Sequence, residues 1–293
     1  MSHTLDDEEQ WREYHVTPRY LAGSSGVGDP GFEPVADWPH HYLDDDGPCQ
    51  LLVTSPDRRI RIGWFGDDYL LWKIAAHEDP VCSPRWTATF NHTMPAEIVA
   101  GLTTTLAHDY ADGNDRFLAA PSLYWTDGIQ PLTDAGWTHA AAERDTVEIT
   151  APDSQAGVLI DRRLCDPDEE TWTLWAGPPS WGTRAEATFT ARTPAHLIAA
   201  TAAAMADPAP VIRTRRQIHR DVAHLVRLTP LEPAERADTA DTAVPTPLEV
   251  RRTAVTAALA RAARGQHTDL RVRAGQGSIP GPAVVPSVHR ARR

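Results

Sequence analysis

The chain has 293 residues, 41% of them apolar, with 10 Trp and a formal net charge of −12, which is enough apolar material for one large core or two of ordinary size. No apolar run approaches the ~18 residues of a membrane span, and the opening MSHTLDDEEQ lacks the basic-then-apolar order of a secretory signal, so neither a membrane location nor export is expected. Cys49, Cys82 and Cys165 form no CxxC pair, which argues against a disulfide framework or a thiolate zinc site and for a reducing cytoplasm.

After an acidic segment over residues 1–15, a first unit is read over 16–112. In it Gln50 to Thr54, then Ile60/Ile62/Trp64, Leu70/Trp72/Ile74 and Trp86/Ala88/Phe90 alternate with polar or small neighbours, the period of four half-buried strands. Pro95 then opens a helix carried by Ile98, Val99, Leu102 and Leu106 to about Tyr110. A second unit over 113–207 repeats the plan. Val147/Ile149, Val158/Ile160, Trp172/Leu174 and Ala187/Phe189 predict strands, and Thr193 is the expected N-cap of a helix from Pro194 to Met205.

The duplication is also literal. ATFNHTMPAEIVA at 88–100 returns as ATFTARTPAHLIA at 187–199, Arg19-Tyr20-Leu21-Ala22 returns as Arg116-Phe117-Leu118-Ala119, and Ser55-Pro56-Asp57 returns as Ala151-Pro152-Asp153. The fold class predicted is therefore α+β: two tandem ββββα repeats with antiparallel sheets, packed on each other because one helix covers one sheet face incompletely. A short helix or turn is expected ahead of each, near 34–38 and 131–137.

Charge separates the rest of the chain from this body. Residues 1–207 hold 33 acidic and 13 basic side chains, whereas 208–293 hold 7 and 15. Residues 208–264 read as a basic, partly helical arm, because Ile218, Val222 and Leu225 recur at helical spacing among Arg213, Arg215, Arg216, Arg220 and Arg227. A second helix is announced by the capping box Thr246 to Glu249 and runs to about Arg264. The segment between, 231–244, reads as a linker, and 265–293 reads as a disordered basic tail.

The Ser55-Pro56-Asp57 step, Trp72-Lys73-Ile74, the WTATF strand and the TMPAEIVAGL helix resemble the actinobacterial SPDY-repeat family, a domain of unknown function usually present in two copies. Arg58 stands where the family has tyrosine, and the second copy has Ala-Pro-Asp followed by Ser154. The resemblance implies an architecture and no activity. By topology alone the two ββββα units also resemble Whirly-type proteins, whose sheets bind single-stranded nucleic acid.

No GxSxG, HExxH, phosphate loop or Cys/His nucleophile pair is present, so no enzyme class is supported and no cofactor is expected. His40-His41 with Asp44, Asp45 and Asp46 match no metal-ligand spacing and read as a surface loop. Gly23 to Gly28 lacks the Lys of a phosphate cradle and reads as a mobile loop.

Two partner classes remain. A nucleic acid would be held at phosphates by Arg213, Arg215, Arg216 and Arg220, with Arg59, Arg61 and Lys73 as a second surface beside Thr87, Thr89 and Asn91 on the sheet. The same residues fit an ordinary solvated face, and the arm could instead neutralise the acidic body. The alternative is a protein–protein adaptor, in which the acidic body meets a basic partner and Trp175 and Trp181 anchor the contact.

Overall fold

The computed structural model describes residues 9–42, 49–65, 70–141, 145–163, 168–180 and 182–231. The expected second helix of the arm and the basic tail lie outside these residues, as do Trp181, Cys165 and Asp44 to Asp46.

The fold is mixed α+β and antiparallel, with a larger and a smaller sheet. The larger joins β2 (His40–Tyr42), β3 (Cys49–Thr54), β4 (Ile60–Phe65), β5 (Leu70–Ala76) and β6 (Trp86–Asn91) of the first half to β7 (Thr138–His139), β8 (Thr146–Thr150), β9 (Ala156–Asp161), β10 (Glu170–Ala176) and β11 (Ala185–Thr190) of the second. Its order is β2-β3-β4-β5-β6-β11-β10-β9-β8-β7. The expected four strands per half thus become five. The added edge strands, β2 and β7, are too short to carry a readable period.

The two copies meet edge to edge, where packing of one on the other was expected. The pairing of β6 with β11 places Thr89 opposite Thr188, and the flanking rows run unbroken from His41 through Leu52, Gly63 and Lys73 to Thr173, Leu159 and Glu148. Pairing the innermost strands removes the two edges that separate sheets would expose. At this seam the Thr89 and Thr188 hydroxyls are 2.7 Å apart on one face, and Phe90 meets Phe189 edge-on at 6.0 Å on the other.

That other face is the core. Ile60, Ile62, Trp72, Ile74, Trp86 and Phe90 from the first half join Ile149, Val158, Ile160, Leu174 and Phe189 from the second in one cluster with the helices. Helix α1 (Ala96–Ala111) follows β6 and α3 (Ala195–Ala206) follows β11, while α2 (Thr126–Asp134) packs on α3. Near 34–38 the first half has only 3-10 and turn geometry, Glu33–Val35, after a single helical turn at Asp29–Phe32. Helices α1 and α3 cross at Gly101, where an added Cβ would lie 2.6 Å from Ala204 Cβ and 2.8 Å from the Ala200 carbonyl oxygen. Thr193 makes no capping bond, contrary to expectation, and α3 begins directly after Pro194, whose fixed φ of −59° suits a helix entry.

The smaller sheet corrects the reading of the arm. Residues expected to form a basic helix instead form β12 (Val211–Thr214), a 3-10 turn at Arg215–Gln217, a run of turns, and β13 (Arg227–Pro230). Both strands pair with β1 (Glu13–Thr17), which lies between them. Tyr14, Val16, Ala22, Val211 and Ile218 form its core, so 13–17 and 211–231 belong to the folded body.

One exchange crosses the seam. The 3-10 segment Arg19–Leu21 of the first copy lies on the second half, where Tyr20 donates to Asp153 at 2.6 Å and Arg19 pairs with Asp207 at 2.8 Å. Its counterpart Arg116–Leu118 lies on the first half, where the Phe117 carbonyl accepts a 2.7 Å bond from the Trp86 indole and the Phe117 ring is fully buried.

Candidate functional site

The Ser-Pro-Asp step is a turn-builder. Ser55 Oγ donates to Asp57 at 2.6 Å and accepts from the Ile60 amide at 2.9 Å, while Asp57 accepts from the Arg59 amide at 3.1 Å. The residue after Asp is left-handed in both copies, Arg58 at φ 64° and Ser154 at φ 58°. The same backbone closure recurs from Ser154 to Ala151 at 2.8 Å, as from Arg58 to Ser55 at 2.8 Å. These polar atoms join β3 to β4, and β8 to β9, by a tight connection.

Arg59 is engaged by this turn. Its guanidinium lies 2.6 Å from Asp57 and 2.6 Å from Asp115, over the Phe117 ring at 5.1 Å. Burial works against charge on Asp57, but the bonds from Ser55 and Arg59 hold its carboxyl below the ordinary range. Arg61 donates to the Pro80 carbonyl. Lys73 stands exposed in the central row of the open face. Asn91, expected outward, is 6% exposed and bridges the seam to the Arg184 carbonyl at 2.7 Å and the Glu186 amide at 3.1 Å. Trp175 lies flat over Gly157, where a Cβ would meet its ring at 2.7 Å, and Arg184 covers it at 4.4 Å.

The four arginines of the arm separate into two kinds. Arg213 is 2% exposed and locked: it forks onto Glu97 with bonds of 2.7 and 2.6 Å and donates twice to the Gly23 carbonyl. Burial disfavours charge on Glu97, yet the hydrogen bonds and charge of Arg213 hold its carboxyl below the ordinary range. A phosphate has no access to Arg213, so that expectation is corrected. The same bonds correct the mobile-loop reading of 23–28, since Gln217 also donates to the Ser25 carbonyl at 2.6 Å.

Arg216 and Arg220 are exposed and Arg215 is partly so. Arg220 lies 3.5 Å from Asp221. Arg216 stands over Trp11 at 5.1 Å, and Trp11 is 62% exposed. Arg12 is beside them, because its carbonyl accepts the Arg215 amide at 3.1 Å. An exposed indole with a guanidinium on its face is a stacking surface flanked by cations. Trp11 and Arg12 were missed from sequence because they lie in an acidic opening segment, some two hundred residues from the arginines they join.

Beside this surface a cleft of about 380 Å³ opens, lined among others by Tyr20, Trp64, Thr93, Arg216, Gln217 and His219. Its wall brings together the exchanged segment, the β4 strand, the entry to α1 and the turn after β12. Burial and the neighbouring Asp153 carboxylate push the Tyr20 hydroxyl pKa far up, so this phenol remains a donor. His40 and His41, expected in a surface loop, lie on the exposed strand β2.

The two halves also meet in comparison with known families. The sequence model of SPDY, described as a domain of unknown function (DUF317), matches residues 54–111 and 150–211. Each match runs from the turn through three strands and the helix, β4 to α1 in the first half and β9 to α3 in the second, where it continues to Val211 at the start of β12. No curated protein and no solved structure matches, so the Whirly-type resemblance has no relative behind it. Two segments of the chain are therefore similar to the SPDY model, one in each half of its larger sheet.

Proposed function

We propose that the chain is a non-enzymatic nucleic-acid-interaction protein. In this reading the two five-stranded halves with their helices are the scaffold, and the contact surface lies where β1 begins and β12 ends, continued by the turn that carries Arg220. The observation that carries it is the exposed Trp11 under the Arg216 guanidinium, with Arg12, Arg215 and Arg220 close in the chain or in space. Unstacked bases find π surface on an exposed indole, and cations beside it take the phosphates, the combination that single strands require. Arg59 and Arg213 have no part in it, since each is already paired. Binding of the full chain to fluorescent single-stranded DNA tests the reading. Trp11→Ala is expected to weaken binding by about tenfold, in line with ~1–3 kcal/mol per stacked base. Arg216→Glu should weaken it and flatten its salt dependence. Binding insensitive to both changes, or to salt, would count against the surface.

A second reading, a protein adaptor, is favoured by a different place. Leu123 and Tyr124 are 95% and 70% exposed, adjacent in the loop before α2. Large apolar side chains exposed together mark partner surfaces more often than isolated ones do. Leu123→Ser with Tyr124→Ser would abolish partner capture under this reading and leave DNA binding untouched.

A further inference from the structure

The cleft beside Arg216 has a chemistry of its own. Its walls are apolar at Leu21, Leu71, Ala185 and Val222, and its volume of about 380 Å³ lies at the lower end of small-molecule sites, ~300–1,000 Å³. Exposed Arg216 stands in its lining as a cation, and His219, whose Nδ1 accepts from the Asp221 amide at 3.2 Å, as a ring N–H donor. Two further lining residues carry buried polar atoms that have no hydrogen-bond partner among the described residues: the Trp64 indole nitrogen and the Thr93 hydroxyl. An unpaired buried donor is destabilising, because it has lost its water and gained nothing in exchange. A ligand that offered acceptors there would remove that cost.

We infer that this cleft binds a nucleoside monophosphate. The base lies along the apolar wall beside Trp64, a ring acceptor takes the indole N–H or the Thr93 hydroxyl after a turn about χ1, and the phosphate faces Arg216 and His219. A small inorganic anion would leave the apolar wall unfilled, and a neutral aromatic would leave Arg216 and His219 unused. Only a ligand with both parts uses all of the lining. The cleft shares Arg216 with the DNA-binding surface, and the two are told apart through Trp11, which does not line the cleft.

The expected behaviour of Thr93→Val separates a binding role from a structural one. The change is close to isosteric and removes a hydroxyl with no partner among the described residues, so the melting temperature should stay unchanged or rise. Nucleotide affinity should fall about tenfold, the loss of one good hydrogen bond. Calorimetric titration of the full chain with each of the four common nucleoside monophosphates, and with adenosine and ribose 5-phosphate as halves, makes the test. Binding of at least one monophosphate, weaker for each half and weaker in Thr93→Val, is the result expected. No binding by any of the four overturns the inference. So does binding that Thr93→Val and Trp64→Phe both leave unchanged, or a Thr93→Val chain that fails to fold, because the hydroxyl would then hold structure. Trp11→Ala is expected to lose DNA binding and keep nucleotide binding; loss of nucleotide binding in Trp11→Ala would overturn the inference, because Trp11 does not line the cleft.

Discussion

Arg213 shows why a charge in a sequence is a poor guide to its use. The basic composition of residues 208–264 points Arg213 toward a phosphate. In the fold, its partner is Glu97, more than a hundred residues earlier, at 2.6 Å and nearly out of solvent. Breaking a buried pair leaves a charge with no partner, so Arg213→Ala should cost about 3–5 kcal/mol, read by urea unfolding of the full chain. Glu97 sets a pH dependence with a definite sign. Its folded pKa is lowered, so its contribution to stability is present above the ordinary carboxylate pKa and is lost as pH falls through the lowered value. Glu97→Gln should flatten the acid limb of the stability profile, although it lowers stability at neutral pH; an unchanged acid limb would exclude this role. Ser55 and Asp57 were legible as a motif, but their task was not. Hydrogen bonds across a two-residue step have no periodic signature, and only the turn shows that they position Ile60 and Arg59.

At the scale of elements, β3 to β6, β8 to β11 and the two long helices were legible, because each exposes one face and buries the other and so writes its period into the sequence. The stretch 211–230 misled for a physical reason. Ile218, Val222 and Leu225 do fall at helical spacing, but each is buried or partly buried by turns that fold against the core. The true strands there are four residues long and depend on β1 for their hydrogen bonds, a tertiary requirement that no local period records. Glycine at the helix crossing carries the opposite lesson. Alanine is the better helix former by about 1 kcal/mol, yet the space at Gly101 is already filled by Ala200 and Ala204. Gly101→Ala is therefore expected to destabilise by about 1–3 kcal/mol through overpacking, seen as a lower melting temperature. A rise would mean that α1 and α3 separate easily.

For the whole molecule, the repeat was legible and the way its copies combine was not. Sequence identity between copies reports that two units exist; it does not report which edges pair or which segments cross. With one core spanning the seam, unfolding should be a single cooperative transition, with Trp fluorescence and circular dichroism changing together. A chain ending at Leu231 should keep that transition. One ending at Asp207 loses β12, β13 and the Arg213–Glu97 pair, and should melt well below it. Coincident melting of the two would show that the smaller sheet adds nothing to the body.

The exchanged 3-10 segments have a consequence for how such chains can be counted. Each copy gives away its own Arg-aromatic-Leu piece and receives the other's, so two is the smallest number of copies that closes the circuit within one polypeptide. A descendant reduced to one copy would have its piece protruding and its own niche at the indole of Trp86 unfilled. It would satisfy both by pairing with a second molecule of itself, and the tandem chain would then be the covalent form of that reciprocal dimer.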